Sequence, residues 1–284
     1  MKPASQLGRV ALLGTGLIGG SLAAALKRHR LAAHIVGFSG GDEADALALG
    51  LIDQIAGTAE EAVAGCDAVI LAAPVSVNCE LLARIAPALS AGVLLTDVSS
   101  VKSPVVEAAR RYLGGALPGF VSCHPIAGGE RSGPGAADPR LFERRTVILT
   151  PLPESEAAQV VRLEAVWQQL GSTVVRMDPG EHDRVYALIS HWPHAVAFAL
   201  AAAVSKNRVG DHLVGPGLLD LTRTAASSPE LWADILLQNA EPVLQAGDQV
   251  SGEIASIRQA IEERDRGALI GLFTEAADWR RRLG

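Results

Sequence analysis

Three clusters of polar residues carry side chains that an apolar core would not recruit, and each suits proton or anion chemistry. The first is Asp97-Val98-Ser99-Ser100-Val101-Lys102, where Ser100 can donate to or accept from a substrate hydroxyl. Its local alternative is that Asp97, Ser99 or Ser100 caps the helix that follows. The second runs Ser122-Cys123-His124-Pro125-Ile126-Ala127-Gly128-Gly129-Glu130-Arg131-Ser132-Gly133. A neutral imidazole at His124 can accept a proton near neutral pH; its alternative is a structural histidine at a strand end. The third is Glu181-His182-Asp183 followed by Ser190-His191-Trp192-Pro193-His194. His191 and His194 are three apart and share a helix face. No close cysteine or paired carboxylate completes tetrahedral coordination there, so no metal is expected. Pro193 is expected to kink the helix and free backbone groups at a cleft. His182 and Asp183 have a structural reading, as support for a domain junction. Downstream, Arg223 can hold a carboxylate through two parallel hydrogen bonds or serve in a surface ion pair. Trp232 reads as a core or interface aromatic.

A different signal precedes these. Gly14-Thr15-Gly16-Leu17-Ile18-Gly19-Gly20-Ser21 places a GxGxxG motif between an apolar strand and a helical segment, the context that makes the motif informative. Gly14 permits the tight turn, Gly16 a close approach of backbone to a pyrophosphate, and Gly19 close packing of helix on strand. The backbone of Leu17 and Ile18 opens the helix, whose free N–H groups and positive dipole end suit phosphate. The alternative is a glycine-rich turn without a ligand. An acid closing the second strand would bind the ribose of NAD; here that position is Ser39, followed by Gly40 and Gly41. Asp42 and Glu43 come late and fit the start of the next helix, as N-terminal acids do. The missing carboxylate removes repulsion against a 2′-phosphate, although no arginine follows to hold one. NADP is therefore favoured over NAD, with dual use open.

These residues need strands and helices to position them. Apolar runs at 9–13, 34–38, 68–73, 93–97, 120–123, 146–150 and 173–177 predict strands, several of them unbroken as in a sheet buried on both faces. Helical patterns at 21–29 and 156–170 lie among them, so an α/β, doubly wound Rossmann-type domain is expected. Ser100, His124 and the glycine turn then share one rim of the sheet. Beyond Asp178-Pro179-Gly180-Glu181 only helical runs follow, at 182–206, 214–226, 230–246 and 251–283. The expected division is 1–177 for dinucleotide binding and 178–284 for a helical domain. That second part is rich in Ala and Leu, so some of its apolar surface is expected to face a second subunit in a homodimer.

Composition sets the outer bounds. The chain has 284 residues, 49% hydrophobic and 20% charged, with a formal charge of −6. A large core is feasible, and the mild acidity argues against a nucleic-acid partner, which needs concentrated positive charge. The first residues carry no secretory apolar segment, and the apolar stretch 195–204 is too short to span a bilayer. No membrane partner and a cytoplasmic location are expected. Cys66, Cys79 and Cys123 are an odd, scattered set that suits reduced thiols.

GTGLIGGSLA at 14–23, DVSSVK at 97–102, HPIAGGERSG at 124–133, LFERRTVILTP at 141–151 and HD with SHWPH across 182–194 together resemble the prephenate/arogenate dehydrogenases. The resemblance runs in order over nearly the whole chain. It implies a Rossmann-type domain followed by a helical dimerisation domain, with the active site between them, and NAD(P)-dependent oxidative decarboxylation of prephenate or arogenate in tyrosine biosynthesis. It also implies roles: His124 accepts from the ring hydroxyl, Ser100 orients that hydroxyl, and Arg223 binds a substrate carboxylate. His194, Ser190 and His191 belong to the substrate pocket, Glu130 stands near its entrance, and Trp232 lines its side. Two alternatives stay open at this point: another two-domain dehydrogenase acting on a 3-hydroxy acid or imine, and a non-catalytic nicotinamide-binding regulator.

Overall fold

The computed structural model describes residues 6–129 and 131–283. Its first half alternates strand and helix: β1 (Gly8–Leu13), α1 (Leu17–Arg28), β2 (Ala32–Phe38), α2 (Glu43–Ala48), β3 (Gln54–Ile55), α3 (Ala59–Val63), β4 (Ala68–Leu71), α4 (Val75–Ile85), β5 (Leu94–Asp97) and α5 (Ser103–Tyr112). The five strands form a parallel sheet in the order β3-β2-β1-β4-β5. Successive strand side chains point to opposite faces, so a strand covered on both sides must be apolar throughout. On β1, Val10 and Leu12 join one core cluster with Leu22, Leu26 and Trp167. Ala11 and Leu13 join the other, with Leu82, Val105 and Phe120.

The order of strands reverses between β1 and β4. In open α/β sheets, ligands bind beyond the carboxyl ends of strands at such a switch point. Gly14 leaves β1 there with a φ of +106°, and a Cβ on it would come within 2.5 Å of the Ala72 carbonyl carbon and oxygen after β4. Glycine alone lets these two turns meet.

A second sheet of three strands follows, in the order β6-β7-β8, built from β6 (Ser122–Pro125), β7 (Thr146–Thr150) and β8 (Thr173–Arg176), with α6 (Ala157–Gln169) between the last two. The strand expected at 120–123 lies two residues later. Phe120 and Val121 instead bridge to β5, with Val121 N–H donating to the Leu95 carbonyl at 2.9 Å. The parallel pattern ends here, because β7 runs antiparallel to β6 and β8 parallel to β7. A parallel pair needs a long crossover, usually a helix. Among the described residues of the connection from β6 to β7, the one helical element is the short 3₁₀ turn Pro134–Ala136.

Helices alone follow: α7 (Pro179–Tyr186), a wider π turn (Ala187–His191), α8 (Trp192–Lys206), α9 (Pro216–Thr222), α10 (Pro229–Gln238), α11 (Ala240–Glu262) and α12 (Arg266–Arg282). Three of the expected runs are broken, each for a local reason. The run at 214–226 tightens into a 3₁₀ turn at Arg223–Ala226. The run at 230–246 breaks at Asn239, whose side chain is spent on neighbouring groups. The run at 251–283 breaks where Arg264 turns left-handed at φ +55° and the Asp265 carboxylate accepts from the Ala268 N–H at 2.9 Å to start α12. The π turn sits just before Pro193, where a missing N–H and a bulky ring disturb the ladder.

The segment Pro179–Lys206 runs 28 residues and is long and apolar enough, by length and composition, to cross a membrane. This is longer than the 195–204 stretch read from sequence. Of the described residues of α8, only Ala197 is buried. Leu221, Leu237 and Leu244 are 68%, 75% and 65% exposed on the same half of the molecule.

Candidate active site

The glycine turn has the form of a phosphate cradle. Helix α1 begins at Gly16 with no side-chain cap and no acid in its first turn, so its leading N–H groups are left for a ligand. A Cβ on Gly16 would meet nothing within 4 Å, whereas one on Gly19 would lie 2.0 Å from the Gly14 carbonyl oxygen. Open space at Gly16 and none at Gly19 fit a pyrophosphate above a tightly packed turn. Ile18 sends its side chain to the core, and Leu17 faces the 125–133 loop, since a Cβ on Gly129 would touch Leu17 Cδ2 at 3.5 Å. Ser21 Oγ accepts from the Asp138 N–H at 2.9 Å, which ties a later part of the β6–β7 connection to α1.

One buried lysine joins the turns that carry Ser100 and His124. Lys102 Nζ donates to Asp97 Oδ2 and to the Cys123 carbonyl, each at 2.6 Å, and is fully buried. Asp97 Oδ2 also accepts from the Ser99 N–H at 3.0 Å. Asn78 donates to Ser99 Oγ at 2.9 Å and holds the turn after β4. The turn that bears half-buried Ser100 is thereby braced from both sides. A buried charge pair is costly to separate, which makes this brace stiff.

His124 extends from β6 toward α7 and is not sealed in. Its Nδ1 lies 2.8 Å from His182 Nε2, and His182 Nδ1 lies 2.9 Å from Asp183 Oδ1. Asp183 also accepts from the Lys102 and Ser103 N–H groups at the start of α5, at 2.8 and 2.7 Å. Burial opposes ionisation of Asp183, but the bonds from His182, Ser103 and Lys102 outweigh it and hold the carboxyl below its ordinary value. Burial lowers His182, only partly offset by Asp183. Burial, then the neighbouring His182, Lys102 and His191, push His124 well below 6.5. Both rings are therefore neutral at pH 7.

The protons follow from these partners. An ionised carboxylate only accepts, so His182 carries its proton on Nδ1 and presents a bare Nε2. His124 must then donate from Nδ1, which leaves its own Nε2 unprotonated. The series converts a fixed anion on α7 into a proton acceptor on β6. Tyr186 stacks on His182 with ring centroids 4.6 Å apart and meets His124 edge-on at 5.0 Å, restricting both rings.

The helical half supplies a second wall. His194 Nδ1 donates to the Ser190 carbonyl at 2.8 Å, and Trp232 stacks on His194 at a centroid distance of 3.5 Å. Burial lowers His194 most, against the raising effect of the Ser190 carbonyl, and the Arg223 charge lowers it further. The 3₁₀ turn that carries the exposed Arg223 packs against α8, the helix that bears His194. Trp232 also packs against the core of the first half. His191, expected in the pocket, sits behind its wall. It is 1% exposed, its Nδ1 accepts from Asn239 Nδ2 at 3.0 Å, and burial pushes it down to about 4. Glu130 lies outside the described residues. At the end of β2 the Ser39 N–H is taken by Glu43, so Ser39 offers its side chain alone.

Sequence reasoning gave His182 and Asp183 only a junction role. They hold the junction and also reach the imidazole of His124. Lys102, Tyr186 and Asn239 drew no separate attention. The adjacent His-Asp pair opening the second half was the available signal.

A family model described as prephenate dehydrogenase, nucleotide-binding domain, matches residues 22–176, and one described as prephenate dehydrogenase, dimerization domain, matches residues 178–275. The prephenate dehydrogenase of Bacillus subtilis is 36% identical over 278 residues, covering 95% of this chain and 75% of its own. The cyclohexadienyl dehydrogenase of Zymomonas mobilis is 34% identical over 276 residues, covering 94% and 93%. Among solved structures, the prephenate dehydrogenase from A. aeolicus in complex with hydroxyphenyl propionate and NAD+ is similar with a TM-score of 0.90 at 32% identity, covering 98% of this chain and 99% of that one.

Proposed function

The chain belongs to the prephenate dehydrogenase family, and from that premise we propose how its cleft carries out the oxidative decarboxylation of prephenate or arogenate in tyrosine biosynthesis. The observation that supports the reading most is the hydrogen-bonded series from Asp183 through His182 to His124.

Gly14, Gly16, Gly19 and the leading N–H groups of α1 hold the dinucleotide, with Leu17 and Ile18 opening that helix and Ser39 at the ribose end. Bound there, the nicotinamide supplies a hydride acceptor. His124 Nε2 takes the proton of the ring hydroxyl as its carbon gains carbonyl character. That carbonyl draws in the electrons of the breaking bond to CO2, and the ring becomes aromatic. Ser100 orients the hydroxyl and Arg223 binds a substrate carboxylate. His194 and Ser190 line the pocket, Trp232 backs it, His191 positions the wall, and Glu130 stands at the entrance. Asp183, reached through His182, favours a proton arriving on His124 and works against the opposing charge of Lys102. A placed base contributes roughly 10²–10⁴-fold.

The division at 177/178 assigns dinucleotide binding to the first part and substrate closure and dimerisation to the second. The apolar outer face of α8 and the exposed leucines are read as homodimer surface. A membrane-crossing role for Pro179–Lys206 is disfavoured because His182 and Asp183 on it are buried against the first half. A cytoplasmic enzyme follows from this reading. Cofactor reduction is to be followed with prephenate and with arogenate, in wild type and His124→Asn. Turnover with at least one substrate, falling at least 10²-fold in the variant while cofactor affinity holds, supports the reading. Retention of most activity in the variant removes His124 from the mechanism.

A further inference from the structure

We infer that Glu43 is the residue that selects between the two nicotinamide dinucleotides, and that it selects NAD+. The inference rests on the dinucleotide reading of the glycine turn and departs from the NADP preference that Ser39 alone suggested. Gly14 N–H donates to the Phe38 carbonyl at 2.8 Å, so the end of β2 lies directly beside the phosphate cradle. The loop that leaves β2 there does not run straight into α2. Glu43 folds back over it, accepting from the Ser39 N–H at 2.5 Å through Oε1 and from the Gly41 N–H at 3.1 Å through Oε2. Gly41 makes this possible with a φ of +133°. A Cβ on Gly40 or on Gly41 would meet nothing within 4 Å, so the loop that Glu43 binds borders open space, and Glu43 itself is half-buried.

A carboxylate four residues late in sequence thus stands at the strand end where an acid reads the ribose. Each of its oxygens has two acceptor sites. One on each is used by the loop, which leaves one on each for the two ribose hydroxyls. A 2′-phosphate faces the opposite situation. The successive N–H groups of a turn make an anion-binding concavity, but here Glu43 already fills it and its charge repels a second anion. Asp42 and Asp45 add to that repulsion. Arg84 has its guanidinium 5.9 Å from the Phe38 ring centroid, but Glu60 binds it through two contacts at 3.2 and 3.3 Å.

The test is calorimetric titration of the full-length protein with NAD+ and with NADP+, for wild type, Glu43→Gln and Glu43→Asp, with thermal melting to verify folding. Wild type is expected to bind NAD+ about tenfold or more tighter, a margin that narrows as salt rises. Glu43→Gln is expected to shrink that preference about tenfold, the scale of one charge contact near a protein surface, chiefly by improving NADP+. Glu43→Asp is expected to stay on the NAD+ side. Wild type binding NADP+ as tightly as NAD+ overturns the assignment without help from any variant, as does an unchanged ratio in Glu43→Gln. Failure of both dinucleotides to bind overturns it together with the reading of the glycine turn. Selective NAD+ binding by a protein that does not oxidise prephenate or arogenate supports Glu43 while removing the proposed reaction.

Discussion

Replacing His182 by leucine tests the proton series at its middle link. The ring of His182 is the acceptor for His124 Nδ1 at 2.8 Å. Without it, the Nδ1–H of His124 points at an apolar side chain, and leaving such a donor unpaired costs about 1–3 kcal/mol. The imidazole escapes by carrying its proton on Nε2, which removes the lone pair that takes the substrate proton. Restoring the active tautomer in each turnover then costs about that same energy, or roughly 5- to 150-fold in kcat at one decade per 1.36 kcal/mol. A second readout separates this from mere loosening. The imidazolium form of His124 also needs an acceptor for its Nδ1–H, and leucine supplies none, so the substitution pushes His124 further down. The base must be neutral to act, so the acid limb of kcat/KM moves to lower pH. His182→Gln keeps an acceptor and is expected to recover part of kcat. Steady-state rates across pH 5–9 for both variants, with NAD+ affinity as a control, decide the matter. A leucine variant within twofold of wild type and with an unmoved acid limb refutes the reasoning.

Arg223→Ala is expected to raise KM for substrate about tenfold or more, the scale of a lost hydrogen bond to a charged group, with kcat less affected; an unchanged KM assigns the carboxylate contact elsewhere. Stability should fall below neutral pH. His191 is pushed down to about 4 in the folded protein from 6.5, so the unfolded chain binds its proton first. Its contribution is full above pH 6.5 and is lost as pH falls through about 4, at most about 3 kcal/mol. Denaturant midpoints from pH 7.5 to 4.5 measure this, and a flat profile in wild type contradicts it. Light scattering at micromolar concentration is expected to give twice the chain mass, and a monomeric mass removes the homodimer.

Much of this arrangement was legible in the residues. Unbroken apolar runs gave a sheet covered on both faces, and a strand, glycine turn and helix in sequence put Ser100, His124 and the cradle on one rim. What stayed hidden depends on long-range packing. His124 and His182 are 58 residues apart, and only docking of α7 against the start of α5 brings them together. The π turn and the break at Asn239 lie inside patterns whose helical period continues across them. Glu43 suits the first turn of a helix equally well whether it points outward or folds back on Ser39, and periodicity does not distinguish the two. The direction of β7 was in principle readable, because residues 126–145 carry too little helix for a parallel crossover.

The protonation pattern of the imidazole on β6 is open to direct observation. Nitrogen-15 NMR of histidine-labelled protein at pH 7, with His124 assigned by its absence from the His124→Asn spectrum, reports which ring nitrogen bears hydrogen. A neutral ring protonated on Nδ1 with a bare Nε2 is the predicted state; an imidazolium, or a ring protonated on Nε2, contradicts it.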